Sequence, residues 1–241
     1  DQSNLPIEER FDQTEIAFEL ITEAVGIIDL PPEIINLSRA TIRSMEKIIV
    51  QIPELAALYR SFVAQNSSRR FKHSLLMIYL GQFVIQKQSW NTPHITQQWT
   101  YLCFFHDIAL DRDEFLDFEY DEDVMNSALS STEKHLIINH AQITAKLLGD
   151  IRDLPVGLDV LVKQHHGSKM GNSLTGISMS ISPICIIFIM LENYVNFLLV
   201  NNEAPKTSKE ITNFIEELFV KYPFPNYKRF IPFLRLIPIK Y

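Results

Sequence analysis

Apolar residues recur along this chain at the helical spacing i, i+3, i+4, i+7, and no stretch alternates apolar and polar residues well enough to predict a strand. The chain has only 7 glycines among 241 residues, which disfavours the many sharp reversals of a β-sandwich or barrel. We therefore predict an all-α fold. The predicted helices cover residues 8–26, 33–50, 53–65, 69–88, 94–110, 132–149, 156–167, 181–200 and 208–221, and the pairs Ser130/Glu133 and Thr207/Glu210 form capping boxes.

Composition excludes several classes of protein. The net charge is −7 and no Lys/Arg-rich stripe exists, so we expect neither a DNA or RNA polymer nor an anionic membrane surface as partner. The longest apolar run, Ile184–Leu191, is far shorter than the about 20 residues that a membrane-spanning helix needs. Cys103 and Cys185 stand in apolar surroundings, where they are typical of small buried hydrophobes in a reducing cytoplasm.

The chain divides into two parts by its chemistry. Residues 1–66 contain no histidine, and we interpret them as an N-terminal helical extension that links to a missing upstream domain or forms a homodimer surface. Residues 67–241 hold all of the candidate functional groups. The chain has neither an initiator Met nor a recognisable signal peptide, so we expect it to be a segment of a longer protein.

The histidines indicate a metal site. All 7 lie between residues 73 and 166, and five of them have apolar neighbours at helical spacing: His73, His106, His140, His165 and His166. Burying several imidazoles without shared partners would cost about 1–3 kcal/mol for each unsatisfied group. A metal ion is an effective shared partner, and imidazole with carboxylate suits Fe, Mn, Zn or Ni. No cysteine joins the set, which argues against a structural zinc site.

The two residue pairs His106-Asp107 and His165-His166 favour two ions over one. Neighbouring residues on a helix point about 100° apart, so His165 and His166 reach toward different ions more easily than toward the same one. The Asp107 carboxylate has two oxygens that could bridge those ions. A pair of ions about 3.5–4 Å apart is suited to phosphoester hydrolysis.

These residues resemble the HD superfamily of metal-dependent phosphohydrolases, and most of all its HD-GYP branch of bacterial cyclic-di-GMP phosphodiesterases. The matching strings are FKHSLLMIYL, FFHDIAL, INHAQITAKLLGDI, LVKQHHG and IFIMLENYVN, and the resemblance covers about residues 68–210. It implies an HD-type helical bundle for residues 67–241. It also implies a phosphodiesterase that hydrolyses a cyclic dinucleotide through a hydroxide bridging two divalent ions, iron or alternatively manganese.

The resemblance also implies roles for particular residues. The family's last acidic ligand corresponds to Glu192, for which a core salt bridge is the alternative. Asp107 would be the bridging, catalytic residue, and either Lys169 or Lys206 would bind the phosphate. The implied ligands are His73, His106 and Glu192 for one ion and His140, His165 and His166 for the other, with Asp107 shared.

The sequence also departs from the family pattern. The string HHGSKMGNSLTG keeps only Gly171 of the Gly-Tyr-Pro signature, and Leu110 replaces the lysine that closes the HD motif. Arg69 stands where three-metal members carry Glu, so two ions are implied and not three. Two alternatives therefore stay open. One is a metal- and nucleotide-binding signalling module with weak or no turnover, and the other is a phosphohydrolase for another nucleotide, such as a mononucleotide or alarmone.

Three further features lie outside the match. Residues 111–123 carry eight acids, and we interpret them as a solvated loop, with a place at the mouth of the site as the alternative. His94 follows a proline at a predicted helix start. His135 lies five residues before His140 and so points away from it. We expect both histidines at the surface.

Overall fold

The computed structural model describes residues 5–25, 31–149, 151–199 and 207–237, and within these ranges the chain is helical with no strand. The all-α prediction is therefore confirmed. All nine predicted helices are present, joined by short helices that the apolar spacing did not predict. The α-helices are α1 (Ile7–Ala24), α2 (Pro32–Gln51), α3 (Leu55–Ala64), α4 (Arg69–Ile85), α5 (Pro93–Phe105), α6 (Asp121–Asn126), α7 (Ser131–Gly149), α8 (Leu158–Gln164), α9 (Pro183–Leu199), α10 (Ser208–Lys221) and α11 (Pro225–Lys228), with 3-10 helices at Asp113–Asp117 and Ile231–Leu236.

Several predicted helices end earlier than the sequence indicated, and two of these ends lie next to the histidine pairs. The helix predicted to reach residue 110 ends at Phe105, where the Ile108 N–H donates to the Phe105 carbonyl over 3.1 Å. The helix predicted to reach residue 167 ends at Gln164, and Gly167 follows with a φ of 80°. Tight i to i+3 turns replace the helical hydrogen bonds at both places. Both histidine pairs consequently stand just beyond a helix and not within one.

Helix starts follow the local capping signals. The Ser130 N–H donates to Glu133 over 2.7 Å, and the Glu133 N–H donates to the Ser130 hydroxyl over 3.3 Å. Thr207 and Glu210 make the same reciprocal pair at the start of α10. Both predicted capping boxes are confirmed, and each satisfies N–H groups that a helix leaves without partners.

The core is built around α4 and α9. Nearly every residue of the apolar run Ile184–Leu191 is buried, and α9 packs against α4. Trp99 of α5 fits between these helices, with its indole N–H donating to the Met77 carbonyl over 3.2 Å. Cys103 and Cys185 are buried free thiols, as predicted. None of the described helices combines the length and the apolarity that crossing a membrane requires.

The N-terminal helices share this core. Phe18 of α1 makes edge-to-face contacts with Phe71 of α4 at 5.7 Å and with Phe104 of α5 at 5.3 Å between ring centroids. The Ser67 hydroxyl donates to the Glu15 carboxylate over 2.7 Å, which ties α1 to the segment just before α4. The division of the chain at residue 66 and a homodimer through α1–α3 both stay predictions.

Substituting Gly81 by alanine should destabilise the protein. A methyl group at Gly81 would lie 2.0 Å from the ring of Trp99, which is fully buried and rests against Phe188. Overpacking of this kind costs about 1–3 kcal/mol. Thermal unfolding should therefore show Gly81→Ala melting several degrees below the unsubstituted protein.

The matched control for this prediction is Gly149→Ala at the end of α7. Apart from its chain neighbours and the backbone of its own helix, no atom of the described residues lies within 4 Å of the methyl group that this change adds. Because alanine favours helix over glycine, Gly149→Ala should melt at the same temperature or slightly higher. Equal melting temperatures for the two variants would contradict the packing argument.

Candidate metal centre

Five separate parts of the fold deliver the predicted ligands to one place. His73 lies in the second turn of α4, and His140 lies in the middle of α7. His106-Asp107 and His165-His166 follow the ends of α5 and α8, and Glu192 lies on α9. The side chains form two groups in which candidate ligand atoms all lie within 4.8 Å of one another. The first group is Asp107, His140, His165 and His166, and the second group is His73, His106 and Glu192.

This grouping has the composition of a metal site. The seven residues singled out in the sequence are all present, and the two groups match the division that the resemblance implied. Imidazole nitrogens and carboxylate oxygens are ligands for Fe, Mn, Zn and related divalent ions. The structure therefore contains His/Asp/Glu groups that could bind metal.

Hydrogen bonds to the backbone orient three of the imidazoles. Nδ1 lies 3.0 Å from the Cys103 carbonyl in His106, 2.6 Å from the Ile137 carbonyl in His140 and 2.6 Å from the Val162 carbonyl in His165. A carbonyl only accepts, so Nδ1 donates in each ring and Nε2 is the nitrogen left to face the other candidate ligands. This second hydrogen bond is the usual support of a metal-binding histidine.

The Nε2 atoms of three imidazoles lie close together. Nε2 of His140 lies 3.2 Å from Nε2 of His165 and 3.0 Å from Nε2 of His166. Burial lowers the pKa of His165 to about 4 and holds the pKa of His166 well below its ordinary value, so neither ring is cationic at neutral pH. The neutral His165 ring donates from Nδ1 to a carbonyl, so its Nε2 is an acceptor, which is the form in which an imidazole binds a metal cation.

Asp107 lies between the two groups. Its Oδ2 is 3.1 Å from Nε2 of His106, while its Oδ1 is 3.2 Å from Nε2 of His140 and 3.5 Å from Nε2 of His165. Burial by itself raises the pKa of Asp107, but the histidines outweigh burial and hold that pKa well below its usual range. The carboxylate is therefore ionised, with one oxygen toward each group.

Two of these atoms make no hydrogen bond of acceptable geometry. Nε2 of His106 and Oδ1 of Asp107 are both buried, and the short distances around them do not have the angles of hydrogen bonds. Buried polar atoms without partners are rare and call for an explanation. Nε2 of His106 and Oδ1 of Asp107 both belong to the two groups of candidate ligands, so a metal ion is a suitable partner for each.

Glu192 and His73 complete the second group. Burial, strengthened by the charge of Asp107, raises the pKa of Glu192 well above its ordinary value. The Glu192 carboxyl lies 3.9 Å from Nδ1 of His166, a loose contact with a neutral ring, which weakens the alternative of a core salt bridge. Burial and His106 lower the pKa of His73 to about 3, so this imidazole is also neutral.

A cavity of about 330 Å³ opens onto both groups. Its wall carries the cationic side chains Arg69, Arg70 and Lys221, which the sequence interpretation did not assign to the site. Of the predicted phosphate-binding residues, Lys169 is exposed and not among the residues of this wall. Lys206 lies outside the described residues. No sequence pattern predicted a place for Lys221 in the site, because only tertiary packing brings α10 to the cavity.

The acidic segment, residues 111–123, borders this cavity and is more than a solvated loop. Phe115, Phe118 and Tyr120 from this segment line the wall. Its acids pair with neighbours: Asp113 with Arg70 at 3.2 Å, and Asp117 with Arg69. The alternative interpretation, a place at the mouth of the site, is therefore the one the structure supports. The two pairs also reduce the repulsion that the segment exerts on an anion.

Glycines shape the loop after the histidine pair. Gly167 and Gly176 pack so closely that a methyl group on either would meet the other's backbone within 2.3 Å. The Gly176 N–H donates to the His166 carbonyl over 2.8 Å. This contact holds the loop against the residue that presents the second imidazole. Asp121 accepts from the Ser173 hydroxyl over 2.7 Å, which ties the same loop to the acidic segment.

The remaining histidines lie outside the site. His94 and His135 are both exposed, as predicted, and belong to neither group. His135 instead contacts the Asn139 side chain one turn later on α7.

Comparisons of this chain with models of protein families, with characterised proteins and with solved structures gave no match.

Changing Glu192 to Gln should affect the metal-free and metal-loaded protein in opposite directions. Removing a buried acid that lacks a close cation should raise the stability of the metal-free protein by about 1–3 kcal/mol. The same change removes a ligand, so added Mn²⁺ should stabilise the variant less than the unsubstituted protein. Melting temperatures in chelator and in Mn²⁺ measure both effects.

The control is Glu119→Gln, which changes an exposed acid on the same cavity wall. It should leave the melting temperatures in chelator and in Mn²⁺ nearly unchanged. If Glu192→Gln lowered the stability of the metal-free protein, Glu192 would be a structural ion-pair partner instead of a ligand.

Proposed function

We propose that this chain is a metal-dependent phosphohydrolase of the HD superfamily, and specifically an HD-GYP-like phosphodiesterase for a cyclic dinucleotide such as cyclic-di-GMP. The observation that carries the proposal is the single carboxylate of Asp107, which directs one oxygen toward each of two groups of buried or half-buried imidazoles. The motif resemblance supports the choice of family. The free, buried thiols of Cys103 and Cys185 support a reducing, cytoplasmic setting.

The proposal includes two divalent ions, iron or alternatively manganese. His73, His106 and Glu192 would hold one, His140, His165 and His166 would hold the other, and Asp107 would contact both. When bound, such a pair lowers the pKa of water and neutralises charge on a phosphate. Carboxylates and imidazoles without thiolates favour iron or manganese over a structural zinc site.

The chain's own residues would prepare the site for this chemistry. Burial keeps His73, His165 and His166 neutral, so their lone pairs stay available at physiological pH. The backbone carbonyls that accept from Nδ1 hold three rings in a fixed orientation, so little reorganisation is needed when a ligand binds. Apolar side chains such as Phe115 and Ile189 limit the access of water to the cavity.

The cavity wall supports a nucleotide as substrate. Tyr120, Phe118 and Tyr222 offer aromatic faces on which a base can stack, and cationic side chains suit a phosphate. The cyclic dinucleotide itself rests on the motif resemblance. A volume of about 330 Å³ lies within the range of small-molecule sites.

A metal- and nucleotide-binding module with weak or no turnover is the second candidate. The observation in its favour is that the acidic segment pairs with Arg69 and Arg70, so two cations of the cavity wall already have anionic partners. The altered string after His166, which lacks the Gly-Tyr-Pro signature, favours it as well.

Metal analysis combined with substrate assays distinguishes these functions. The protein is prepared with Fe²⁺ or Mn²⁺, metal per chain is measured, and hydrolysis of cyclic-di-GMP, cyclic GMP-AMP, a generic phosphodiester and mononucleotides is followed. Two ions with turnover of a cyclic dinucleotide would support the proposal. Two ions with binding and no turnover would favour the second candidate, and activity on mononucleotides alone would indicate another HD phosphohydrolase.

Replacing Asp107 by alanine should remove both ions at once, because this carboxylate faces both groups. His73→Ala removes a residue of the second group only and should lower the content by about one ion. Turnover of the substrate should fall at least about a hundredfold in Asp107→Ala. Elemental analysis and the hydrolysis assay provide the two measurements.

His94→Ala serves as the control, since it removes an exposed imidazole outside both groups. Metal content and turnover should stay at the level of the unsubstituted protein. If Asp107→Ala kept one tightly bound ion, the bridging role would be wrong.

A further inference from the structure

The three cationic side chains of the cavity wall differ in their partners. Arg70 is buried, donates to the Leu110 carbonyl over 2.6 Å and pairs with Asp113 at 3.2 Å, so it is committed to holding the acidic segment. Arg69 pairs with Asp117. Within the described ranges no carboxylate forms an ion pair with Lys221, the last residue of α10.

Asn193 holds the ammonium group of Lys221 in place. Nδ2 of Asn193 donates to the Ile189 carbonyl over 2.7 Å and to the Tyr222 hydroxyl over 3.1 Å. These two bonds fix the amide, so that its Oδ1 faces Lys221 and accepts from Nζ over 2.8 Å. Asn193 directly follows the candidate ligand Glu192.

The surroundings of Lys221 suit a nucleotide. Nζ lies 5.9 Å from the ring of Tyr120 and 5.7 Å from the ring of Tyr222, and both rings line the cavity. An ammonium group carries three donors and no acceptor. One donor is used by Asn193, an uncharged partner, so a phosphate oxygen can bind to the others without displacing a carboxylate.

We propose that Lys221, positioned by Asn193, binds the phosphate of a nucleotide in this cavity, beside the aromatic faces of Tyr120 and Tyr222. The inference rests on the proposed function in one respect, that the ligand of the site is a phosphate ester. It assigns the anion-binding role to a residue near the C-terminal end of α10, whereas the sequence predicted that role for Lys169 or Lys206.

Binding of 5′-GMP and of guanosine to the Mn²⁺-loaded full chain, measured by calorimetry, tests the proposal. Lys221→Met keeps the apolar stem and removes the charge. Affinity for 5′-GMP should fall about tenfold or more, as expected for loss of a charge-assisted hydrogen bond. Affinity for guanosine and metal per chain should not change, because neither depends on the ammonium group. The lost hydrogen bond to Asn193 is exposed, so the melting temperature should stay nearly unchanged.

Two further variants sharpen this experiment. Lys221→Arg restores a cation and should recover much of the lost 5′-GMP affinity. Lys228→Met removes an exposed lysine outside the cavity wall and should bind 5′-GMP as the unsubstituted protein does. Asn193→Leu should weaken 5′-GMP binding, but its effect should largely vanish in the Lys221→Met background, since Asn193 acts through the lysine.

The outcomes separate this inference from the proposed function. If no cyclic dinucleotide is hydrolysed but Lys221→Met still loses 5′-GMP affinity selectively, the lysine role stands and the phosphodiesterase proposal fails. If a cyclic dinucleotide is hydrolysed and Lys221→Met binds 5′-GMP normally, the lysine role is wrong. It is also wrong if the unsubstituted protein does not bind 5′-GMP, or if Lys221→Met and Lys228→Met lose affinity equally.

Discussion

The close packing of buried imidazole nitrogens around one ionised carboxylate is the constraint on which the rest of this structure depends. Nε2 of His140 lies 3.2 Å from Nε2 of His165 and 3.0 Å from Nε2 of His166, as close as hydrogen-bonded atoms lie. Asp107 adds a negative charge at the same place. Apolar packing around α9 must force this convergence, because the polar groups alone would separate. A cation that binds such a group in the folded protein would also stabilise the fold, so metal binding and stability would be linked through the same few atoms.

Sequence reasoning predicted the helices because apolar spacing reports which face of a segment is buried. It failed at the two helix ends that matter most for function. Nothing in the apolar pattern distinguishes a helix that continues through His106 from one that ends at Phe105 in a tight turn. That difference depends on single backbone hydrogen bonds. The position of Gly167, with its positive φ, was the available signal at the end of α8.

The candidate ligands were predictable for a related reason. A histidine or an acidic residue stands out in an otherwise apolar stretch of sequence. This contrast, together with the motif resemblance, was sufficient to predict five histidines, Asp107 and Glu192 as ligands. The cavity wall was not predictable. Arg70 and Asp113 lie 43 residues apart, and only the folded chain shows that they neutralise each other. Lys221 likewise has no local pattern around it, since it meets Asn193 through the packing of α10 beside α9.

Helix α1 also forms part of the wall of the cavity at the candidate metal centre. Phe18 and Thr22 line the cavity, and Phe18 is clamped edge-on between rings of α4 and α5. Those two helices bring His73 and His106 to the centre. A tilt of α1 would consequently change the cavity wall and the packing of Phe18 against the two helices that carry or precede these histidines. A partner that bound the outer face of α1 would thus be connected to the helices of the candidate metal centre through three phenylalanine rings, Phe18, Phe71 and Phe104.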